Sequence, residues 1–145
     1  MAFFRGPESV LVVVYTDQAE VLLLKRRAPF SFWQSVTGTL DDNESHAHAS
    51  RRELREETGL SSEGEMIDSR RSRQFEIDPR WRDRYAPDDC CNTEHEYRYR
   101  LSLPVRIQLD DAEHSDYQWV DMAAAIDTVW SWANKEALQQ LRDEL

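Results

Sequence analysis

Strand-like and helix-like rhythms divide this chain. Val10-Leu11-Val12-Val13-Val14-Tyr15 is an unbroken, β-branched run, the pattern of a strand covered on both faces. Thr16 to Ala19 reads as a turn, and Val21 to Leu24 as a second strand ending in Lys25-Arg26-Arg27. Ser69 to Ile77 reads as a further strand. From His95 to Leu103 the alternation is clearest: His95, Tyr97, Tyr99, Leu101 and Leu103 on one side, Glu96, Arg98, Arg100 and Ser102 on the other. Val105, Ile107 and Leu109 alternate again after Pro104, and Tyr117-Gln118-Trp119-Val120 predicts another strand. Asp121 is placed to cap a short helix through Ile126, and Asn134 to cap a last one with the stripe Ala137, Leu138, Leu141 and Leu145.

The stretch from Gly38 to Leu60 carries the densest chemistry. A loop, Gly38-Thr39-Leu40-Asp41-Asp42-Asn43-Glu44, leads into a helix that ends at Gly59. Glu53, Glu56 and Glu57 stand at i, i+3 and i+4, so their carboxylates share one face. Such like-charged neighbours destabilise a helix by about 0.2–0.5 kcal/mol per pair, and a divalent cation turns that repulsion into coordination. Arg52 is placed to pair with Glu56. Leu54 and Ala47 lie on an adjacent packing stripe, while His48, Arg51 and Arg55 point to solvent. Asp41 does not begin a calcium loop, because His46 and Arg52 occupy the positions that need Gly and Glu. His46 and His48 fall on different helix faces and read as surface residues.

Composition narrows the classes. At 145 residues the chain is long enough for one domain spanning 1–145, burying roughly 68–70% of its unfolded surface. A net charge of −10 argues against nucleic acid or an anionic membrane as partner, even with Arg70 to Arg84 so rich in arginine. The same charge repels a polyphosphate, so local cations must overcome it. Cys90 and Cys91 are adjacent, without the spacing of a zinc half-site or a disulfide framework. No apolar run reaches the length of a signal segment or membrane span, so a reduced, cytoplasmic protein is expected. Monomer and homodimer are equally compatible with the sequence.

The string over residues 38–60, Gly-x5-Glu-x7-Arg-Glu-U-x-Glu-Glu-x-Gly-U with U apolar, has seven fixed identities. At roughly 7% each, chance gives about 10⁻⁸ per starting position. On it the chain resembles the Nudix hydrolases. That resemblance implies the α/β class, as a Nudix α/β/α sandwich with a mixed sheet and a catalytic loop-helix. It implies Mg²⁺ (or Mn²⁺) bound with a small-molecule triphosphate. Carried over by position, Glu53 and Glu57 are metal ligands, Glu56 is a further ligand or water-activating base, and Arg52 orients the carboxylates. Glu44 supports the metal shell, and Gly38 lets backbone approach the site.

The flanking residues resemble one branch, the dihydroneopterin triphosphate diphosphatases, also described as dATP pyrophosphohydrolases. Many Nudix proteins carry a Pro-Gly-Gly approach to the signature; here it is Trp33-Gln34-Ser35-Val36-Thr37-Gly38, as in that branch. Phe75-Glu76-Ile77-Asp78 and Arg84-Tyr85-Ala86-Pro87 match it again. The resemblance makes Arg5, Arg26, Thr37, Phe75, Asp78 and Ser131 substrate contacts. Glu113, beside His114 ahead of Tyr117-Gln118-Trp119, becomes a further metal ligand or base. Read without the resemblance, Phe32, Trp33 and Phe75 serve equally as core, Arg26 as surface and Glu113 as a solvated loop residue. The expected reaction is hydrolysis of 7,8-dihydroneopterin triphosphate to the monophosphate and pyrophosphate. The alternatives are hydrolysis of dATP or another nucleotide, and a non-catalytic nucleotide sensor on the same fold.

Overall fold

The computed structural model describes residues 7–145, so Arg5 lies outside the described residues. Its strands are β1 (Glu8–Thr16), β2 (Glu20–Arg26), β3 (Phe32–Gln34), β4 (Val36–Thr39), β5 (Glu65–Glu76), β6 (Cys91–Leu101) and β7 (His114–Asp121). The helices are α1 (His46–Thr58), α2 (Met122–Thr128) and α3 (Trp132–Glu144), with a 3₁₀ turn over Pro79–Arg84. The sheet runs β3-β2-β1-β6-β5, with β4 also on β1 and β7 on β2. It is mixed: β1 is parallel to β6 along its whole length and antiparallel to β4 and β2.

β1 shows why its sequence lacks alternation. Val10, Val12 and Val14 pack with Ala49, Leu54 and Leu60 of the α1 side, while Leu11, Val13 and Tyr15 pack with Ile126, Leu138 and Leu141 of α2 and α3. The sheet thus has a helical layer on each face, the expected α/β/α sandwich. Each fully buried aliphatic side chain contributes about 1.5–3 kcal/mol. No helix among the described residues is long and apolar enough to cross a membrane.

Several local expectations are corrected. Ala47 is exposed, and Ala49 instead packs with Leu54 in the core. The alternation after Pro104 is real in burial, with Ile107 in the core, but 103–110 forms no ladder. Leu103 is 64% exposed, beyond the end of β6. Ser131 caps α3, its Oγ accepting from Asn134 N at 3.4 Å. Asn134 instead sits in the first turn, buried, accepting from Ser35 N at 2.8 Å and donating to Ser35 Oγ at 3.1 Å. Leu145 is exposed and outside the stripe. Asp121 does cap α2, accepting from Ala124 N at 2.8 Å. Much of the arginine-rich stretch ties the fold together: Arg71 pairs with Glu144, and Arg73 with Glu96 and Glu136.

Candidate active site

Local rules set the helix that carries the carboxylates. Ser45 caps α1 by accepting from His48 N at 3.1 Å, and Gly59 ends it at φ +78°, a left-handed conformation that suits glycine. Arg52 then locks the helix to the loop before it. Its Nε and Nη2 hold Glu44 at 2.7 and 2.8 Å, Nη1 reaches Glu53 at 2.8 Å and Glu56 at 3.2 Å, and Nη2 donates to Thr39 O at 3.1 Å. Those contacts, led by Arg52, lower the Glu44 pKa to about 2. A Cβ at residue 38 would overlap the Glu53 carboxylate, so glycine here leaves that carboxylate its place against β4.

Glu57 is the most demanding group in the molecule. It is 1% exposed, and no N–H group among the described residues hydrogen-bonds its carboxylate, which faces the Glu53 carboxyl instead. Burial pushes its pKa well up, and the neighbouring Glu53 and Glu113 push it further, with Arg26 opposing. Burial also raises Glu53, although a hydrogen bond shared with Glu57 and another from Arg52 counter it. His114, fully buried at the start of β7, brings Nε2 to 3.5 Å from Glu57 Oε1 and to 3.3 Å from the Gln34 side-chain nitrogen. Burial lowers its pKa to about 4, so the imidazole is neutral near pH 7. Its Nδ1 also lacks a partner among the described residues. Ligand atoms of Glu57, Glu113 and His114 lie within 4.8 Å of one another. A buried carboxylate crowded by Glu53 and the exposed Glu113, beside a neutral imidazole, fits a divalent cation, which would compensate the desolvation of Glu57.

Glu56 stands apart: half its side chain is in water and it faces Arg52. The signature carboxylates thus form a graded set from exposed Glu56 through Glu53 to buried Glu57.

A cavity of about 540 Å³ opens beside this cluster. Gly38, against Glu53, and Arg26, whose charge is felt at Glu57, line its near end. Thr37, Phe75, Asp78 and Ser131 line it too, so each described substrate residue named from sequence reaches one space. Some have structural duties there. Phe75 meets Trp132 edge-on at 6.2 Å, Asp78 holds Arg80 through Nε at 2.9 Å and caps the 3₁₀ turn, and Arg26 Nε donates to Ala28 O at 2.7 Å. Phe32, Trp81 and Trp130 form an aromatic wall, Trp81 lying 5.8 Å from Phe32 and 5.7 Å from Trp130.

Sequence reasoning passed over His114, Asn92 and Glu94. The signs were present: His114 adjoins Glu113, and the polar parity of Glu96 and Arg98 extends back through Glu94 to Asn92. A different convergence, of Glu8, His46 and His95, is a structural tie. The two imidazoles stack at 3.5 Å and both Nε2 atoms reach Glu8 Oε1, at 3.3 and 3.2 Å. An ion shared by rings stacked this way would lie far out of their planes, whereas hydrogen bonds account for the arrangement. His46 is therefore partly buried and engaged, not a bare surface residue.

A signature loop-helix under a mixed sheet, with a carboxylate cluster beside a cavity, defines a class of protein. A NUDIX domain model matches residues 6–141, and the chain belongs to that family. Among its relatives, the dihydroneopterin triphosphate diphosphatase of Escherichia coli (strain K12) is 40% identical over 141 residues, 94% of this chain and 93% of that protein. The enzyme of the same name from Haemophilus influenzae is 37% identical over 147 residues, 97% and 90% of the two chains. The solved structure of the E. coli dihydroneopterin triphosphate pyrophosphohydrolase matches with a TM-score of 0.89 at 37% identity, covering 96% of this chain and 97% of that one. A Caenorhabditis elegans Ap4A hydrolase, at 20% identity and a TM-score of 0.74, shares the fold.

Proposed function

We propose that this chain hydrolyses 7,8-dihydroneopterin triphosphate to the monophosphate and pyrophosphate, with Mg²⁺ held by Glu53, Glu57 and Glu113. The observation that carries this is the buried carboxylate of Glu57, crowded by Glu53 and Glu113 beside a cavity sized for a small ligand, whose lining includes Gly38 against Glu53. The names of the relatives supply the substrate. Mg²⁺ bound there would lower the pKa of a coordinated water and neutralise charge on phosphoryl oxygens; Mn²⁺ is the natural substitute.

The chain's own residues do the rest. Arg52 fixes Glu53 and Glu56 in orientation. Glu113 takes the proton of the attacking water; it is exposed and within 4.8 Å of Glu57 and His114, whereas Glu56 is turned to Arg52. Arg26, with Arg5, holds phosphate by charge-assisted contacts. The adjacent free thiols of Cys90 and Cys91 suit a reducing cytoplasm.

Pyrophosphate release from a panel of triphosphates, with Mg²⁺ and with EDTA, tests the reading. Turnover should require the metal and favour the pterin; equal rates in EDTA, or none on any triphosphate, refute it. Glu57→Gln should fold normally and lose activity by about 100-fold or more. Glu113→Gln should lose at least about tenfold, equivalent to roughly 1.4 kcal/mol of barrier. A smaller loss removes Glu113 from the chemistry.

A further inference from the structure

Glu94 is a buried carboxylate that the chemistry above leaves unused. It follows Asn92 at the next position but one on β6, so both side chains leave the same face of the strand, and both line the cavity. Glu94 is 8% exposed and Asn92 4%. Carboxylates this deep are usually answered by a cation. Here Arg73, opposite on β5, is committed to Glu96 at 2.8 Å and Glu136 at 2.9 Å. Burial pushes the Glu94 pKa up to about 7, against the opposing charge of Arg73 and a hydrogen bond from Thr37. Asn92 donates its amide to Ser9 Oγ at 2.7 Å, which fixes the group, and its Oδ1 is buried with no donor among the described residues. An orphaned buried acceptor beside an under-compensated carboxylate is costly in the empty protein.

We propose that Glu94 and Asn92 select the heterocycle of the substrate, accepting hydrogen bonds from a 2-amino-4-oxo edge, the N–H and adjacent NH₂ shared by pterins and guanine. A carboxylate offers paired acceptors to two adjacent donors. Adenine presents an acceptor nitrogen beside its amino group, so its lone pair would face the carboxylate. A site built for donors rejects such an analogue because its own buried groups stay unpaired. The aromatic wall of Phe32, Trp81 and Trp130 supplies flat surfaces for the ring. Thr37 becomes a positioning residue for Glu94. This inference deepens the substrate reading above and rests on it for the ligand's identity.

The test separates recognition from hydrolysis by using dihydroneopterin, guanosine and adenosine, without phosphates and in EDTA, titrated by calorimetry. The wild-type protein should bind the first two more tightly than adenosine. Glu94→Gln, nearly isosteric, should weaken both by about tenfold or more while leaving adenosine within about twofold. With triphosphates the same variant should raise KM for the pterin far more than it changes kcat. Asn92→Ala should show the same selectivity loss at smaller size, and it decides the matter if Glu94→Gln folds poorly by circular dichroism. Equal losses for all three ligands, no loss, or wild-type preference for adenosine would overturn the proposal. A protein that binds the heterocycles as stated but releases no pyrophosphate would instead refute the hydrolase reading and leave this one standing.

Discussion

At the scale of single residues, Arg52 is the hinge of the site. Its bidentate grip on Glu44, whose side chain is 5% exposed, joins the loop to the helix. Glu44→Gln should therefore cost about 2 kcal/mol of stability near pH 7, the scale of hydrogen bonds to a charged group. The pH dependence has a definite sign. Glu44 has a folded pKa of about 2 against an ordinary value of 4.5, so its contribution is complete above about pH 5 and fades as pH falls towards 2. Urea unfolding of both proteins from pH 7 down to pH 3 should show the gap narrowing; a constant gap would mean that the charge is irrelevant. Sequence spacing alone made Arg52 a partner of Glu56, and the structure adds Glu44, Glu53 and Thr39. That difference is physical: i,i+4 pairs are local, whereas the Thr39 carbonyl reaches the guanidinium only because β4 packs on α1.

At the scale of elements, helix termini were partly legible and partly not. Asp121 was read correctly as a cap because it directly precedes the apolar face of α2. Ser131 and Asn134 both suit a cap, and tertiary contact decided between them: Asn134 is drawn inward to Ser35, leaving Ser131 at the end. Ser131→Ala should cost about 1 kcal/mol in thermal or urea unfolding. Ser131→Asp should restore that stability while weakening binding of a triphosphate, since the residue lines the cavity. A variant that regains stability with unchanged KM would show that Ser131 is only a cap. Strand β6 gives the same lesson. Its apolar alternation begins at His95, yet the ladder starts at Cys91, because pairing with β1 and β5 continues through residues whose polarity hides it. Asn92 and Glu94 were missed for that reason.

At the scale of the whole molecule, a net charge of −10 opposes the approach of a polyanion, and the site must attract it locally. Added salt should therefore raise kcat/KM for the Mg²⁺–triphosphate complex, since screening shortens the reach of that repulsion to about 8–10 Å near physiological ionic strength. Steady-state kinetics from low salt to about 0.15 M, at fixed free Mg²⁺, checks this; a steep fall would mean that arginines dominate the far field. The sequence by itself determined the carboxylate helix and its terminal Gly59, which follow from spacing along one chain, and the signature that carries the family and, through that resemblance, the sandwich. Only the tertiary structure decided which glutamate is buried, that His114 and Gln34 stand beside it, and that Asn92 and Glu94 turn into the cavity. Burial and orphaned polar atoms are properties of surfaces brought together from β1, β4, β6, β7 and α1, and no local pattern encodes them.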